Sequence, residues 1–517
     1  MNISSSRRGF LRGIAGAAAL GAGGCFTIGK GCDGKIRLAA VGVMGKGYSD
    51  WLPMLKSGMA KMVAFCDCDY NKRSEAQRCL IRDGVDFDMY SVPFYTDYRK
   101  LLDDAGMLGI EAMTVSTTDH MHAPIAISAM KQGIHVYVQK PLVRTLWELD
   151  YFGRTAKEYG VVTQMGNQGS SLTGFRRGVE VLNSGILGDI KEVHVWTNRP
   201  VWPQGKGASD ATIGRGDRIP DCFNWDAWLG TAKKRPFKGA YAPGKKGYDP
   251  WNLCHNVYHP FSWRGFFDFG CGAFGDMACH TMNLPFRGLE LGKVEKAELK
   301  MIEDKTDYAF PMKSVVELTY AARESQARPG VKLPAVKLYW YDGREKPSAS
   351  IMPQVTAAFK GQVPTTGCVI IGTKGVLCST NDYGGDSFIA LAGEKSVQNI
   401  KSHPACRDIP HTIPYRGDSV AGQSASSGAA SVSADGQYIE FLDAIKGVGP
   451  KFASTNSRCY SDVDYSIPIM ESILVGVVAQ RVAQVGKTLV WNAEAGKFDD
   501  EKANSFIKPY IRKGYEF

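Results

Sequence analysis

The chain has 517 residues, of which 44% are hydrophobic and 22% are charged, and its formal net charge is +10 at pH 7. This length and apolar content suffice for two packed domains, and no run of lysine and arginine interleaves with aromatic residues as in a nucleic-acid-binding surface. The 13 cysteines show no metal-ligand spacing, so neither a metal site nor a disulfide framework is predicted.

The N-terminal segment has the pattern of an export signal. Residues 6–12 contain two adjacent arginines, and a glycine- and alanine-rich apolar run continues to about Phe26. We therefore predict that residues 1–33 are a twin-arginine-type signal outside the fold, and that the protein is exported or periplasmic. A disordered basic tail is the alternative. Cys25 could carry a lipid anchor, although simple cleavage is the preferred interpretation.

A glycine-rich turn follows the first apolar stretch. Residues 36–42 have strand length and lead into Gly-Val-Met-Gly-Lys-Gly, after which the pattern becomes helical. Glycines let the backbone approach a pyrophosphate, and the N-terminus of the next helix offers free N–H groups. Glycine triplets also make ordinary tight turns. In this strand-turn-helix context we predict that Gly42, Met44, Gly45 and Gly47 contact a dinucleotide.

The second strand, at residues 62–66, ends at an acidic residue. Asp67 stands where a carboxylate accepts hydrogen bonds from ribose hydroxyls, which favours NAD over NADP because a carboxylate repels a 2′-phosphate. Lys72 and Arg73 lie close enough in sequence to leave NADP open. The alternative for Asp67 is a helix N-cap.

Strands and helices continue to alternate up to about residue 165. The pattern predicts strands at residues 110–116, 134–139 and 161–165, with helices at 120–132 and 145–159. This α/β alternation predicts a doubly wound parallel sheet, which we assign to a Rossmann domain at residues 34–165.

Polar residues stand just after the predicted strand ends. Ligands of doubly wound sheets bind at the carboxyl ends of the strands, so we predict that these residues line the cofactor crevice. They are Thr117, Asp119, His122, Gln139, Lys140 and Asn167, with Gln168 next to them. For two of them an alternative stays open: Asp119 caps the following helix, and His122 packs in its first turn.

A second chemical cluster lies at residues 263–280. If its last part is helical, Asp276 and His280 are four residues apart on one helix face and form a proton-handling pair. An ordinary surface ion pair is the alternative. Glycines in this segment allow close approach of a ligand, and Trp263, Phe266 and Phe267 could stack on an apolar sugar face.

Residues 166–517 fit a second, α+β domain. Strand patterns at residues 192–196, 314–319, 336–341 and 369–371 suggest one large, mostly antiparallel sheet. Residues 466–485 are apolar at helical spacing but contain charged residues, so we predict a buried helix and no membrane span. Residues 424–434 are rich in Ser, Ala and Gly and are predicted to be a surface loop.

These motifs together resemble the glucose-fructose oxidoreductase, inositol dehydrogenase and MocA family, written Gfo/Idh/MocA. The matching pieces are the glycine turn, residues 65–67, residues 116–124, the Gln-Lys-Pro at 139–141 and residues 272–280. The resemblance covers nearly the whole chain from Lys35 onwards. It implies that the large sheet forms contacts between subunits of a homo-oligomer.

The resemblance also implies an active site made of Lys140, Asp276 and His280. His280 would take the hydroxyl proton, Asp276 would orient it, and Lys140 would polarise the oxygen or relay the proton. The family usually has Glu-Lys-Pro where this chain has Gln139. A neutral amide cannot form an ion pair with the lysine, so we expect Lys140 to be held less firmly in its charged form.

The substrate wall is predicted from the segments that follow the first domain. Its candidate residues are Gln168, Trp202, Trp263 and Arg264. The resemblance implies an NAD-dependent oxidoreductase that moves a hydride to or from a secondary hydroxyl of a sugar or glycoside. Since an exported protein meets no free nicotinamide pool, we expect the NAD to stay bound and to be recycled by a second substrate.

Two other functions remain as alternatives. One is an NAD-dependent glycosidase that oxidises a sugar transiently and eliminates the aglycone; Lys140, which such relatives tend to lack, favours the dehydrogenase. The other is a non-catalytic sugar-binding protein, against which the joint presence of Lys140, Asp276 and His280 argues. The sequence does not show which sugar or which carbon reacts.

Overall fold

The computed structural model describes residues 33–208, 216–240, 244, 258, 261–415, 435–454 and 456–517. Residues 1–32 of the predicted signal, including Cys25, lie outside the described residues, as does the predicted surface loop at residues 424–434.

The strands of the described residues alternate with helices at first and then cluster. The strands are β1 (Ile36–Val41), β2 (Ala60–Cys66), β3 (Phe94–Tyr95), β4 (Ala112–Val115), β5 (His135–Val138), β6 (Thr163–Met165), β7 (Ile190–Trp196), β8 (Val294–Glu303), β9 (Lys313–Tyr320), β10 (Arg323–Glu324), β11 (Lys332–Leu333), β12 (Val336–Tyr341), β13 (Gly367–Gly372), β14 (Gly375–Ser379), β15 (Ser387–Leu391), β16 (Gln398–Asn399), β17 (Thr488–Asn492) and β18 (Lys497–Phe498). The α-helices are α1 (Lys46–Lys56), α2 (Lys72–Arg82), α3 (Tyr98–Asp103), α4 (Ala105–Leu108), α5 (Asp119–Met130), α6 (Leu146–Tyr159), α7 (Thr173–Asn183), α8 (Trp225–Leu229), α9 (Gly272–Thr281), α10 (Asn283–Gly288), α11 (Pro353–Ala358), α12 (Asp435–Lys446), α13 (Val463–Val482) and α14 (Glu501–Asn504).

The first sheet is parallel and has six strands in the order β3-β2-β1-β4-β5-β6. Its central strands are almost fully buried apolar runs, as parallel strands with helices on both faces require. The order reverses between β1 and β4, which is the point where such sheets bind a ligand. The predicted doubly wound α/β fold is confirmed.

The second sheet has ten strands in the order β16-β15-β14-β13-β7-β12-β9-β8-β17-β18. Its neighbouring strands are antiparallel except β7 and β12, which run parallel. The prediction of a large, mostly antiparallel sheet is therefore confirmed. Helix α9 packs against β7 at one side of this sheet and so carries Asp276 and His280 towards the first sheet.

Helix α13 is the element predicted as a buried helix at residues 466–485. By length and composition it could cross a membrane, and 72% of its most apolar window is buried inside the protein. It packs against α6, α9 and β8. These contacts place it as a core helix that joins elements of both parts of the chain.

Candidate active site

The glycine turn after β1 combines two close backbone approaches with one open position. A side chain at Gly42, where φ is 84°, would place its Cβ 2.3 Å from the Ser116 carbonyl oxygen, and one at Gly47 would lie 2.0 Å from the Gly42 oxygen. A Cβ at Gly45, where φ is 61°, would meet no atom within 4 Å. The turn is thus packed tightly against the sheet and leaves open space above Gly45, as a bound pyrophosphate requires.

Asp67 lies beside this turn, and its carboxylate is tied to backbone. Its Oδ2 accepts from the N–H of Val43 at 3.0 Å and its Oδ1 from that of Asp69 at 3.1 Å. Helix α2 begins at Lys72 with Asn71 as its N-cap, so Asp67 is not the cap of that helix. The remaining lone pairs of the carboxylate can accept ribose hydroxyls.

The basic residues that left NADP open are engaged inside the fold. Lys72 pairs with Glu75 at 2.8 Å. The guanidinium of Arg73 donates to the carbonyls of Met89 and Val92. Because both cations have partners inside the fold, this region favours NAD, which has no 2′-phosphate, over NADP.

Polar side chains at the strand ends carry buried atoms with no hydrogen-bond partner among the described residues. Asn167 is fully buried, and within that part of the chain neither its amide nitrogen nor its amide oxygen is hydrogen-bonded. The Oε1 of Gln168 is buried and unbonded as well. Because buried polar groups are nearly always paired, these residues fit the hydrogen-bonding demands of a bound dinucleotide or sugar. Thr117, at the end of β4, is half-buried beside them.

His122 is used by the protein itself. Its Nδ1 lies 2.7 Å from the Pro141 carbonyl and its Nε2 lies 3.2 Å from the Thr117 carbonyl. Burial lowers the pKa of His122 to about 4. This arrangement favours the packing interpretation over a cofactor contact, because the ring joins the loops after β4 and β5.

Lys140, Asp276 and Arg264 form a buried charge cluster. Lys140 Nζ donates to Asp276 Oδ1 at 2.8 Å and to the Asp276 carbonyl at 3.1 Å, and Arg264 Nε donates to the same Oδ1 at 3.1 Å. Burial alone would raise the pKa of Asp276, but the two cations hold it well below its usual range. Lys140 therefore has an anionic partner despite the neutral Gln139, which corrects the expectation that it is weakly held.

His280 lies one helical turn after Asp276 and is 5% exposed. Its Nδ1 has no hydrogen-bond partner in the part of the chain that the structure describes, and its ring packs edge-on against Tyr383 with centroids 4.9 Å apart. Burial, followed by the charge of Lys140, lowers the pKa of His280 well below its ordinary value. In the described part of the chain no hydrogen bond joins His280 to Asp276, so the carboxylate holds the lysine instead of orienting the imidazole.

Asp119 is the second carboxylate of this region. It is buried, and its Oδ2 has no partner among the residues that the structure describes, while α5 has Thr118 as its N-cap and no side-chain cap bond. Burial raises the pKa of Asp119 to about 7, against the charge of Arg264. The capping interpretation is therefore not supported, and Asp119 is a group that titrates near neutral pH beside the Lys140 cluster.

Replacing Asp119 with asparagine should change how stability depends on pH. The folded protein keeps the Asp119 proton between its ordinary pKa of 3.8 and about 7, where the unfolded chain has lost it. This contribution is present at acidic pH and is lost as pH rises through that window, at up to about 1.4 kcal/mol per pH unit. Urea unfolding at pH 5, 6 and 7 should show a flatter decline for Asp119→Asn than for the wild type. Parallel declines would contradict the raised pKa.

Aromatic residues and Arg264 form one wall near the charge cluster. The guanidinium of Arg264 lies 4.2 Å from the Trp263 ring centroid and 5.8 Å from that of Trp202. Phe266 belongs to a buried aromatic core, and Phe267 packs against Phe310 with centroids 4.7 Å apart. Trp263 belongs to the same aromatic core as Phe266, and Trp202 is only 5% exposed. The predicted sugar stacking on Trp263, Phe266 and Phe267 therefore stays a prediction.

Several residues of this region were not singled out from the sequence. Tyr383 lies between β14 and β15 in a turn with no motif, and it reaches His280 only because the sheet brings that turn over α9. Asp50 accepts a hydrogen bond from the side-chain amide of Gln139 at 2.9 Å. An acidic residue inside a helix carries no sequence signal for such a role.

Residues 36–167 match the model of the family described as "Oxidoreductase family, NAD-binding Rossmann fold", GFO_IDH_MocA. This match covers the β1 turn, Asp67 and the strand-end residues up to Asn167. It confirms the resemblance inferred from the motifs and the assignment of this region to an NAD-binding fold.

Similar proteins include both hydrolases and dehydrogenases. A glycosyl hydrolase family 109 protein of Akkermansia muciniphila is 27% identical over 230 residues, which cover 37% of this chain and 46% of that protein. A levoglucosan dehydrogenase of Pseudarthrobacter phenanthrenivorans is 40% identical over 50 residues, 10% of this chain and 12% of that protein. The matches thus span less than half of the length of either relative.

Solved structures share the fold over most of the chain. An inositol dehydrogenase homolog of Azotobacter vinelandii, complexed with NAD+, has a TM-score of 0.55 at 16% identity and covers 88% of this chain and 97% of its own. An oxidoreductase from Pseudomonas syringae has a TM-score of 0.54 at 15% identity, with 89% and 99% coverage. Both sheets described above therefore belong to one recurrent architecture.

Proposed function

We propose that this chain, whose residues 36–167 match the Gfo/Idh/MocA family model, transfers a hydride between tightly bound NAD and a secondary hydroxyl of a sugar or glycoside. The observation that carries the proposal is the Lys140, Asp276 and His280 arrangement at the carboxyl ends of the parallel strands. A lysine held at 2.8 Å by a buried carboxylate and a neutral imidazole are the groups that alcohol oxidation needs.

The proposed reaction separates a hydride from a proton. Oxidation of a secondary alcohol breaks its C–H and O–H bonds, and the nicotinamide, when bound, accepts the hydride. The neutral His280 accepts the hydroxyl proton. Lys140 donates a hydrogen bond to the substrate oxygen and stabilises its developing negative charge. Asp276 accepts a hydrogen bond from Lys140 and orients it, and Arg264 donates to the same carboxylate.

Denaturing the purified protein and assaying the supernatant for nicotinamide tests the proposal directly. We expect stoichiometric NAD, with little NADP, because Asp67 follows β2 beside the glycine turn, where its carboxylate would repel a 2′-phosphate, and because Lys72 and Arg73 are engaged elsewhere. Bound NAD should then be reduced by one member of a sugar panel, with a rise in absorbance of the reduced nicotinamide. Absence of nicotinamide, together with no binding of added NAD, would contradict the proposal.

A glycosidase is the second candidate, supported by the similarity to a glycosyl hydrolase family 109 protein. In this alternative the oxidation is transient and the bond to the aglycone breaks before the hydride returns. Cleavage of an aryl glycoside without net NADH formation would favour it. Net conversion of a sugar to its keto form, with no aglycone released, would favour the dehydrogenase.

The cellular setting is proposed from the N-terminal segment. The arginine pair and apolar run at residues 6–26 support export by the twin-arginine route, which carries folded proteins. NAD would then be bound before export and recycled by a second, oxidised sugar. Recovery of the protein only in the cytoplasmic fraction after osmotic shock would contradict this.

The face of the ten-stranded sheet that carries His194, Glu317 and Tyr339 is the proposed oligomer surface. His194 and Tyr339 stack there with centroids 4.9 Å apart, and Glu317 bridges Lys337 at 2.7 Å and Lys300 at 3.4 Å. This ring stack and these ion pairs on one face of the sheet support pairing with a second copy. A monomer mass in light scattering at micromolar concentration would contradict it.

A further inference from the structure

A buried carboxylate lies beneath the cofactor crevice. Asp50, on α1, has no exposed surface. Its oxygens accept from Lys46 Nζ at 2.8 Å, Ser116 Oγ at 2.7 Å, Gln139 Nε2 at 2.9 Å and the Tyr438 hydroxyl at 2.8 Å. We call these five residues the Asp50 cluster.

Three of the four donors come from segments that line the crevice. Lys46 belongs to the glycine turn, Ser116 follows β4 and Gln139 follows β5. A buried carboxylate is costly unless its oxygens are hydrogen-bonded, so the donors stabilise one arrangement together. The Asp50 cluster therefore fixes the spacing of the three loops that surround the predicted dinucleotide.

The fourth donor, Tyr438, lies on α12, 388 positions after Asp50 in the chain. This helix is held on its other side, where Glu440 forms a fully buried ion pair with Arg176 of α7. Next to Tyr438, Gln437 donates to the hydroxyl of Tyr137 on β5. Helix α12 thus connects the second part of the chain to the floor of the crevice.

We propose that the Asp50 cluster is a latch that slows NAD release, with Tyr438 as the contact through which the second domain holds the three crevice loops in place. This inference rests on the proposed function, since it concerns the same cofactor. It also gives a reason for Gln139: a glutamate at this position would bring a second carboxylate within about 3 Å of Asp50, where like charges repel.

The test measures NAD dissociation from the holoprotein, by dilution into an excess of an NAD-consuming enzyme. Tyr438→Phe removes one hydroxyl and should speed release about tenfold, which corresponds to about 1.4 kcal/mol. Phe441→Leu is the matched control: Phe441 is buried on the same helix but does not reach Asp50. The Phe441→Leu variant should have a lower melting temperature, but its NAD release rate should stay within about twofold of the wild-type rate.

A charge exchange gives a second, independent arm. Gln139→Glu should speed release or lower NAD content, and Asp50→Asn in the same chain should restore retention, because one carboxylate and one amide are again paired. Unchanged release in Tyr438→Phe, or failure of the double variant to recover while it remains folded, would overturn the latch. Wild-type protein that binds no NAD would instead overturn the proposed function.

Discussion

Replacing Lys140 with methionine should lower kcat by about 10³-fold, while NAD remains bound to the folded protein. The ammonium donates to Asp276 at 2.8 Å and its side chain is 14% exposed, so it acts where water screens little of its charge. Methionine keeps most of the side-chain volume but can neither donate to a substrate oxygen nor stabilise an alkoxide. The loss should appear in kcat more than in KM, because the interaction strengthens in the transition state.

Steady-state kinetics with the reactive sugar, together with the NAD content of each preparation, checks this expectation. Lys157→Met is a matched control, since Lys157 is 69% exposed and forms a surface ion pair with Asp464. Such pairs contribute little, so this variant should keep wild-type activity. A Lys140→Met protein with full activity would rule out the proposed role and favour a binding function without chemistry.

Five of the six strands of the first sheet could be predicted because each has a local signal, whereas β3 has only two residues and was not predicted. Buried strands are short apolar runs, and helices repeat their apolar residues with a period of about 3.6 residues. The turn at Gly42 needs a residue that tolerates a positive φ. Lys140 and Asp67 could then be placed from topology alone, since the carboxyl ends of parallel strands meet at one edge.

The partners of these residues could not be predicted in the same way. Lys140 and Asp276 are 136 positions apart, and Asp50 and Tyr438 are 388 apart. Such contacts depend on how the second sheet and its helices pack on the first, which no local pattern encodes. For the same reason the sequence predicted a weakly held Lys140 from Gln139, whereas the structure supplies the counter-charge from another helix.

This distribution of charge assigns different tasks to two residues that are neighbours on one helix. Asp276 faces Lys140 and Arg264, whose charges keep it ionised. His280 has no hydrogen-bond partner at Nδ1 among the described residues, and it remains neutral because burial and the charge of Lys140 disfavour its protonation. A neutral imidazole next to a fixed cation can accept a proton without first losing one.

Replacing His280 with asparagine should therefore lower kcat by about 10²- to 10⁴-fold, the range for loss of a general base. Because its pKa is lowered, the wild-type enzyme should keep its base unprotonated below the usual histidine range. The acid limb of the kcat/KM profile should accordingly lie below the pH at which an ordinary histidine titrates. His411→Asn, at a site that is 64% exposed, serves as the control for the substitution itself.

Asp119 must be separated from His280 in this profile, because its pKa of about 7 lies within the pH range that the profile covers, above the acid limb expected for His280. Measuring the profile in Asp119→Asn removes that titration, and the acid limb that remains should disappear in the Asp119→Asn, His280→Asn double variant. An unchanged acid limb in the double variant would mean that another group accepts the proton. A limb at the ordinary histidine pKa would contradict the lowered pKa of His280, because kcat/KM reports the enzyme before the substrate binds.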